Sequence, residues 1–236
     1  MTGHDEGVAT IALAEADPVE LEKRRSELDE PYRTVLGHFR HEVGHHYWDV
    51  LVREGGWLDP FRAAFGDETQ DYAAALKRHH HEGAPPNWRN FCVSSYAPFH
   101  PWEDFAETWA YYFHILDTLE TAAAFCLSLA AAVDREGGHK ARADFDRYVS
   151  REIEQIVEAW APVAVAMNSI NRSMGWPGLY PFVLAPAVVA KLDFVQRARA
   201  GGKAAGESRP DEGGLEIRQA EPRWGRSPRP RPLSHP

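Results

Sequence analysis

His41, Glu42 and His45 stand in the stretch LGHFRHEVGHHYWDVLV, residues 36–52, at a spacing that can do chemistry. Residues four apart on an α-helix lie one above the other, so both imidazoles can point at one ion with Glu42 beside them. This is the HExxH arrangement: two zinc ligands plus a carboxylate able to take a proton from a metal-bound water. Three fixed positions also arise by chance, so their setting has to support them. Asp29 as a cap, Pro31 in a first turn, and Gly55 and Gly56 as a stop predict a helix here. Leu36, Phe39, Val43, Val50 and Leu51 give that helix apolar surface to bury. Histidine is a mediocre helix former and costly to bury without a partner, so packing alone explains His38, His41, His45 and His46 poorly. His46 lies away from the pair and reads as a surface residue.

A catalytic zinc keeps three protein ligands and one open position. The extended pattern HExxHxxGxxH is excluded, because Trp48 and Leu51 occupy its glycine and third histidine positions. A glutamate on a second helix is the other familiar solution. Residues 94–122, SSYAPFHPWEDFAETWAYYFHILDTLETA, provide one. Pro101 suits a helix start, with Glu103 and Asp104 in its favourable first turn. Trp102, Phe105, Trp109, Phe113 and Leu116 recur as a core-facing stripe. Glu103 and Glu107 share a face, with His114 nearly on it. Glu103 is the expected third ligand, and Glu107 the expected acceptor for the distal N–H of His41 or His45.

The elements that must position these groups are mostly helical. Residues 8–14, VATIALA, predict one strand, whose edge could pair with an extended peptide. A charged stretch containing a short helix follows. Residues 57–83 predict a short and a longer helix, with His79, His80 and His81 at a solvated end rather than in a second metal site. GAPPN, residues 83–87, is a loop. A long helix is expected from residue 139 to about 174, with Pro162 as a kink or break. The loop GWPGLYPFVLAP and a last helix at 187–199 come next. The fold class expected is mainly α (α+β at most): a zincin-like helical domain over 1–200 with one short N-terminal strand or small sheet. Residues 201–236, rich in Gly, Pro, Arg and Ser, are expected to be disordered.

At 236 residues with 44% apolar content, eight Trp and eleven Phe, the chain can bury one sizeable core. Its net charge of −9 argues against nucleic acid or anionic membrane as a partner. No run reaches the roughly eighteen apolar residues of a membrane helix, and the N-terminus lacks the pattern of a signal peptide. Cys92 and Cys126, without CxxC spacing, read as free buried thiols in a reducing cytoplasm.

LGHFRHEVGHHYWDVLV, SSYAPFHPWEDFAETWA and NRSMGWPGLYPF together resemble a bacterial family of zinc-binding metallopeptidases of the gluzincin type. The resemblance covers about residues 2–198. It implies that His41, His45 and Glu103 bind zinc, one ion per chain, and that Glu42 is the base. It also matches Glu107 to the carboxylate closing an ExxxD/E motif, and Tyr96 to a tyrosine aimed at the developing oxyanion. Members usually begin with a cysteine-rich zinc ribbon, whose paired cysteines do not occur here. The expected function is a cytoplasmic zinc peptidase acting on peptides or proteins. The alternatives are a catalytically silent zinc-binding or interaction module on the same fold, and a metal-dependent hydrolase of a non-peptide bond. Substrate and oligomeric state are not encoded in these motifs.

Overall fold

The computed structural model describes residues 3–5, 7–12, 17, 19–23, 34–130, 140–142, 152–176, 178, 184–201 and 216–218. In chain order the elements are β1 (Gly3–Asp5), β2 (Val8–Thr10), α1 (Val35–Tyr47), α2 (Leu58–Phe65), α3 (Tyr72–Glu82), α4 (Pro101–Ala124), β3 (Ser128–Ala130), β4 (Lys140–Arg142), α5 (Ile153–Ser173), α6 (Pro186–Gly201) and β5 (Glu216–Arg218). The fold is mainly α with a small N-terminal sheet, as the sequence predicts. The strand expected at residues 8–14 is shorter and belongs to a hairpin: β1 pairs antiparallel with β2, Gly7 turning between them with φ 81°, and β5 pairs parallel on the other side of β2. Among the described residues β1 is therefore an edge of this sheet, and it lies alongside α1. A short helical turn at residues 19–23 follows, with Asp17 accepting from the amides of Val19 and Glu20.

The central element is α4. Phe105, Trp109, Tyr112, Ile115, Leu116 and Leu119 are all buried, on more than one face of the helix. A helix apolar nearly all round has to be surrounded, and α1, α2, α5 and α6 pack on it. Phe61 and Phe65 of α2 stack on each other and meet Phe105 of α4 and Phe194 of α6 edge-on. The geometry is the one aromatic quadrupoles favour. On the opposite side Ile156, Trp160 and Val163 of α5 complete the core. Among the described residues no helix is long and apolar enough to cross a membrane.

A buried ion pair ties α6 to the first turn of α4. Lys191 binds the Asp104 carboxylate and donates to the Phe91 carbonyl at 2.7 Å. Burial pushes the Asp104 carboxyl up to about 6 despite that ammonium. Cys92 joins the group, its thiol raised to about 12 by burial and then by Asp104, so it is an inert packing residue.

Several expectations need correction. The residues expected as part of a long helix from 139 include Lys140–Arg142, which form a strand antiparallel to β3; the helix begins at Ile153 and runs through Pro162 without breaking. Cys126 is exposed, not buried. It lies in the turn closing α4 with φ 51°, where the chain leaves the core. The first helix starts at Val35, capped by Thr34, whose Oγ accepts from Gly37 at 2.9 Å. The expected cap at Asp29 and the first turn at Pro31 lie outside the described residues, as do half of the 175–186 loop and, apart from Gly201 and β5, the 201–236 tail. Past Tyr47 the chain continues as a π-helical stretch, Trp48–Arg53, before turning at Gly55 and Gly56.

The buried face of α1 is also not the predicted apolar one. Leu36 and Val50 are exposed, and Phe39, Val43 and Leu51 only half-buried. His41, Glu42, Gly44 and His45 are buried instead. Gly44 makes this possible: a Cβ there would lie 3.0 Å from the Ala106 Cα and 3.2 Å from its carbonyl oxygen. Both are backbone atoms of α4 and cannot rotate aside. Gly44→Val should therefore push α1 off α4 and destabilise the fold by about 1–3 kcal/mol. Urea denaturation of the metal-free protein measures the loss, and a midpoint unchanged from the parent would contradict the close crossing.

Candidate metal centre

On α1, His41 and His45 project from one turn to the next toward the start of α4. That start is fixed locally. His100 is the N-cap, with its Nδ1 accepting from the Trp102 amide at 3.2 Å, and Pro101 opens the helix. Glu103 and Asp104 follow in the first turn, where carboxylates suit the positive end of the helix dipole. Consecutive residues point about 100° apart, so Asp104 serves Lys191 while Glu103 faces α1.

Glu103 Oε2 lies 3.0 Å from His41 Nε2 and 3.5 Å from His45 Nε2, and the two imidazole nitrogens are 3.0 Å apart. His41, His45 and Glu103 are all buried, and their donor atoms lie within 4.8 Å of one another. No second such group occurs among the described residues. Glu107, one turn further along α4, takes the Nδ1–H of His41 at 2.6 Å. It serves His41 and not His45, whose Nδ1 has no hydrogen-bond partner among the described residues. Trp102 packs against the His45 ring, with centroids 3.7 Å apart and planes tilted by 31°. This tryptophan was expected in the core stripe, but it is half-buried and packs on a site histidine.

Electrostatics follow from a buried carboxylate, Glu103, and a half-buried one, Glu107, set against two buried imidazoles. Burial opposes a charge on His41, but Glu103 and Glu107 outweigh it and hold its pKa well above the ordinary 6.5. His45 is pushed down to about 4: burial is the largest cause, and the nearby Glu103 carboxylate does not offset it. Burial likewise opposes ionisation of Glu103 and Glu107, yet their histidine partners hold both below the usual carboxylate range. Glu42, buried beside them, is raised to about 7, chiefly by burial. A carboxyl near neutrality is suited to taking and returning a proton.

Tyr96 lies beside the site with its ring 6.1 Å from that of His41. Its hydroxyl is hydrogen-bonded to that of Tyr72, and burial raises the pKa of both phenols, so both stay protonated. Tyr72 in turn donates to Glu103 Oε1 at 2.8 Å. The sequence reading missed Tyr72, because no spacing links the first residue of α3 to a helix thirty residues later. Arg40, also missed, binds His114 and Asp117 on α4. Burial and that guanidinium push His114 down to about 4, and it stays outside the three-residue cluster. His46 is half-buried near His4 of β1, 6.0 Å away, rather than free on the surface. His80 and His81 are exposed, whereas His79 is half-buried against Tyr96 and Phe99.

The donor set fits a zinc ion. Glu103 Oε2 is a buried carboxylate oxygen with no hydrogen-bond donor of good geometry, and it faces two imidazole nitrogens. Two nitrogens and one oxygen are the ligands of many catalytic zinc sites. A cleft of about 540 Å³ flanks the cluster, walled by Trp48, Tyr72 and Trp102 and edged by Asp49, Arg53 and Glu68.

Comparison with known proteins agrees with this geometry. A family model described as "Putative zinc-binding metallo-peptidase" matches residues 1–198. The chain is also similar to the uncharacterized proteins Rv2568c of Mycobacterium tuberculosis and Mb2598c of Mycobacterium bovis. Each is 46% identical over 197 residues, covering 82% of this chain and 54% of the relative. The chain thus spans about half the length of the curated relatives it matches. No solved structure matches it. A match over nearly all of the helical region, on a chain that gathers two histidines and a glutamate at one point, leads to one conclusion: this protein belongs to that zinc-binding metallo-peptidase family.

Proposed function

We propose that the protein is a zinc-dependent metallopeptidase, with His41, His45 and Glu103 holding one zinc ion per chain and Glu42 as the general base. The observation that carries this is the convergence of His41 Nε2, His45 Nε2 and Glu103 Oε2, with a buried Glu42 raised to about 7 next to them. A purely structural zinc needs no base beside its ligands and is usually cysteine-rich.

When bound, zinc supplies Lewis-acid chemistry that acidifies water and polarises a peptide carbonyl. Glu42 takes the proton of the attacking water and later delivers it to the leaving amine. Its ordinary pKa would leave it too weak a base to hold that proton between the two steps, and burial corrects this. Glu107, bound to Nδ1, fixes the tautomer of His41 so that Nε2 carries the lone pair. Tyr96, whose O–H otherwise serves Tyr72, would swing it to the oxyanion that develops on the carbonyl oxygen. An extended peptide would be received along β1, an edge strand among the described residues, beside α1. The family supports peptides or proteins as substrates. The free thiols Cys92 and Cys126 fit a reducing cytoplasm as the compartment. The family match to residue 198 supports a catalytic domain over 1–200, to whose small sheet Glu216–Arg218 adds β5 beside β2.

Three outcomes test the reading. Glu42→Gln should keep its zinc and lose hydrolysis of a peptide library by about 10²–10⁴-fold; an unchanged rate rejects Glu42 as base. Glu103→Ala should weaken zinc binding by at least ~100-fold, more than an outer-sphere partner does, as measured against a competing chelator. Zinc binding at pH 7 should release roughly one proton per chain, because His41 is charged beforehand and must be neutral as a ligand. The sign follows: affinity falls as pH falls. Calorimetric titration in buffers of different ionisation enthalpy reads the release, and heats independent of buffer would contradict it. Intact zinc with no cleavage of any peptide would leave a silent zinc-binding protein.

A further inference from the structure

We infer that Tyr72 is a positioning residue that holds Glu103 as a one-oxygen ligand by engaging Oε1 and leaving Oε2 to face the two imidazoles. The inference rests on the zinc site proposed above. A carboxylate on a flexible side chain can offer an ion one oxygen or both, and the difference sets how many positions stay open for substrate and water. Nothing on α1 or α4 makes that choice here. The hydroxyl of Tyr72 does, since it donates to Oε1 at 2.8 Å while Oε2 sits 3.0 Å from His41 Nε2 and 3.5 Å from His45 Nε2.

The phenol is well placed for the task. Tyr72 is the first residue of α3, and its backbone is set by Asp71, whose side chain caps the helix by accepting from Ala74 at 3.0 Å. Its ring is held edge-on by Phe99 at 5.4 Å, His100 at 5.2 Å and Trp102 at 6.2 Å. His100 and Trp102 flank the start of α4, so the ring and the carboxylate it addresses are registered by the same turn. Ala75 is the one residue of α3 that is buried, so this helix contributes little to the core. The hydrogen bond to Glu103 gives its position a role that packing does not.

Tyr72→Phe removes only the hydroxyl and keeps the ring contacts, so the fold should survive. The parent and the variant are compared for zinc affinity against a competing chelator, and for the visible spectrum after cobalt(II) replaces zinc. The variant should bind zinc about 10–100-fold more weakly. Its cobalt bands should lose intensity as Glu103 swings to offer both oxygens and the coordination number rises. A merely structural tyrosine would not move the cobalt spectrum. Equal zinc affinity and superimposable spectra in parent and variant overturn the role of Tyr72 while leaving the zinc site standing. A parent chain that takes up no zinc overturns both.

Discussion

Glu103 is buried and Glu107, one turn along, is half-buried, so both carboxylates draw on the positive charge that the surrounding structure supplies. An isolated carboxylate is too costly to bury, so each must meet a donor or a cation. α1 brings two imidazoles to them. His41 stands between both carboxylates and so is favoured as a cation, whereas His45 faces only Glu103, with the charge of His41 beside it. That asymmetry explains why two histidines one turn apart shift in opposite directions. In the metal-free state the proton on His41 occupies the electrostatic position that a zinc ion would take, so proton and metal compete for the same carboxylates.

This arrangement depends on how closely α1 and α4 approach. Side chains of two histidines and a glutamate are short, and their tips meet only because Gly44 lets the backbone of α1 lie on Ala106. The price is that α1 turns its polar side inward and leaves Leu36 and Val50 exposed. Stability comes from elsewhere: the phenylalanines of α2, α4 and α6, the α5 side of the core, and the Asp104–Lys191 pair. That pair anchors the same helical turn that carries Glu103. A rigid turn keeps Glu103 in place against His41 and His45, since small displacements of a supporting element are felt directly at such a cluster.

Around this centre the polar contacts form connected sets rather than isolated bonds. Tyr96 leans on Tyr72 and Tyr72 on Glu103, while Arg40 joins α1 to His114 and Asp117 further along α4. The second set lies deeper along the same helix pair and keeps α1 in register with α4. The cleft walled by Trp48, Tyr72 and Trp102 opens next to the first set, and Tyr72 belongs both to its wall and to the hydrogen bond on Glu103.

Much of this was legible in the sequence, because local rules govern it. The four-residue spacing of His41 and His45 and of Glu103 and Glu107 places each pair on one helical face whatever the tertiary structure does. Pro101 and the acidic residues after it mark a helix start, and the turn residues bound α2, α3 and α6 correctly. What no local rule could supply is which helices meet and what crosses between them. Tyr72 reaching Glu103, Lys191 reaching Asp104 and Arg40 reaching His114 join residues 31 to 87 positions apart, and their partners are chosen by packing rather than by spacing. Glycine hid the decisive fact. Gly44 reads in sequence as a weak helix residue, and only the contact with Ala106 shows that its missing side chain is what lets the two helices close on one point.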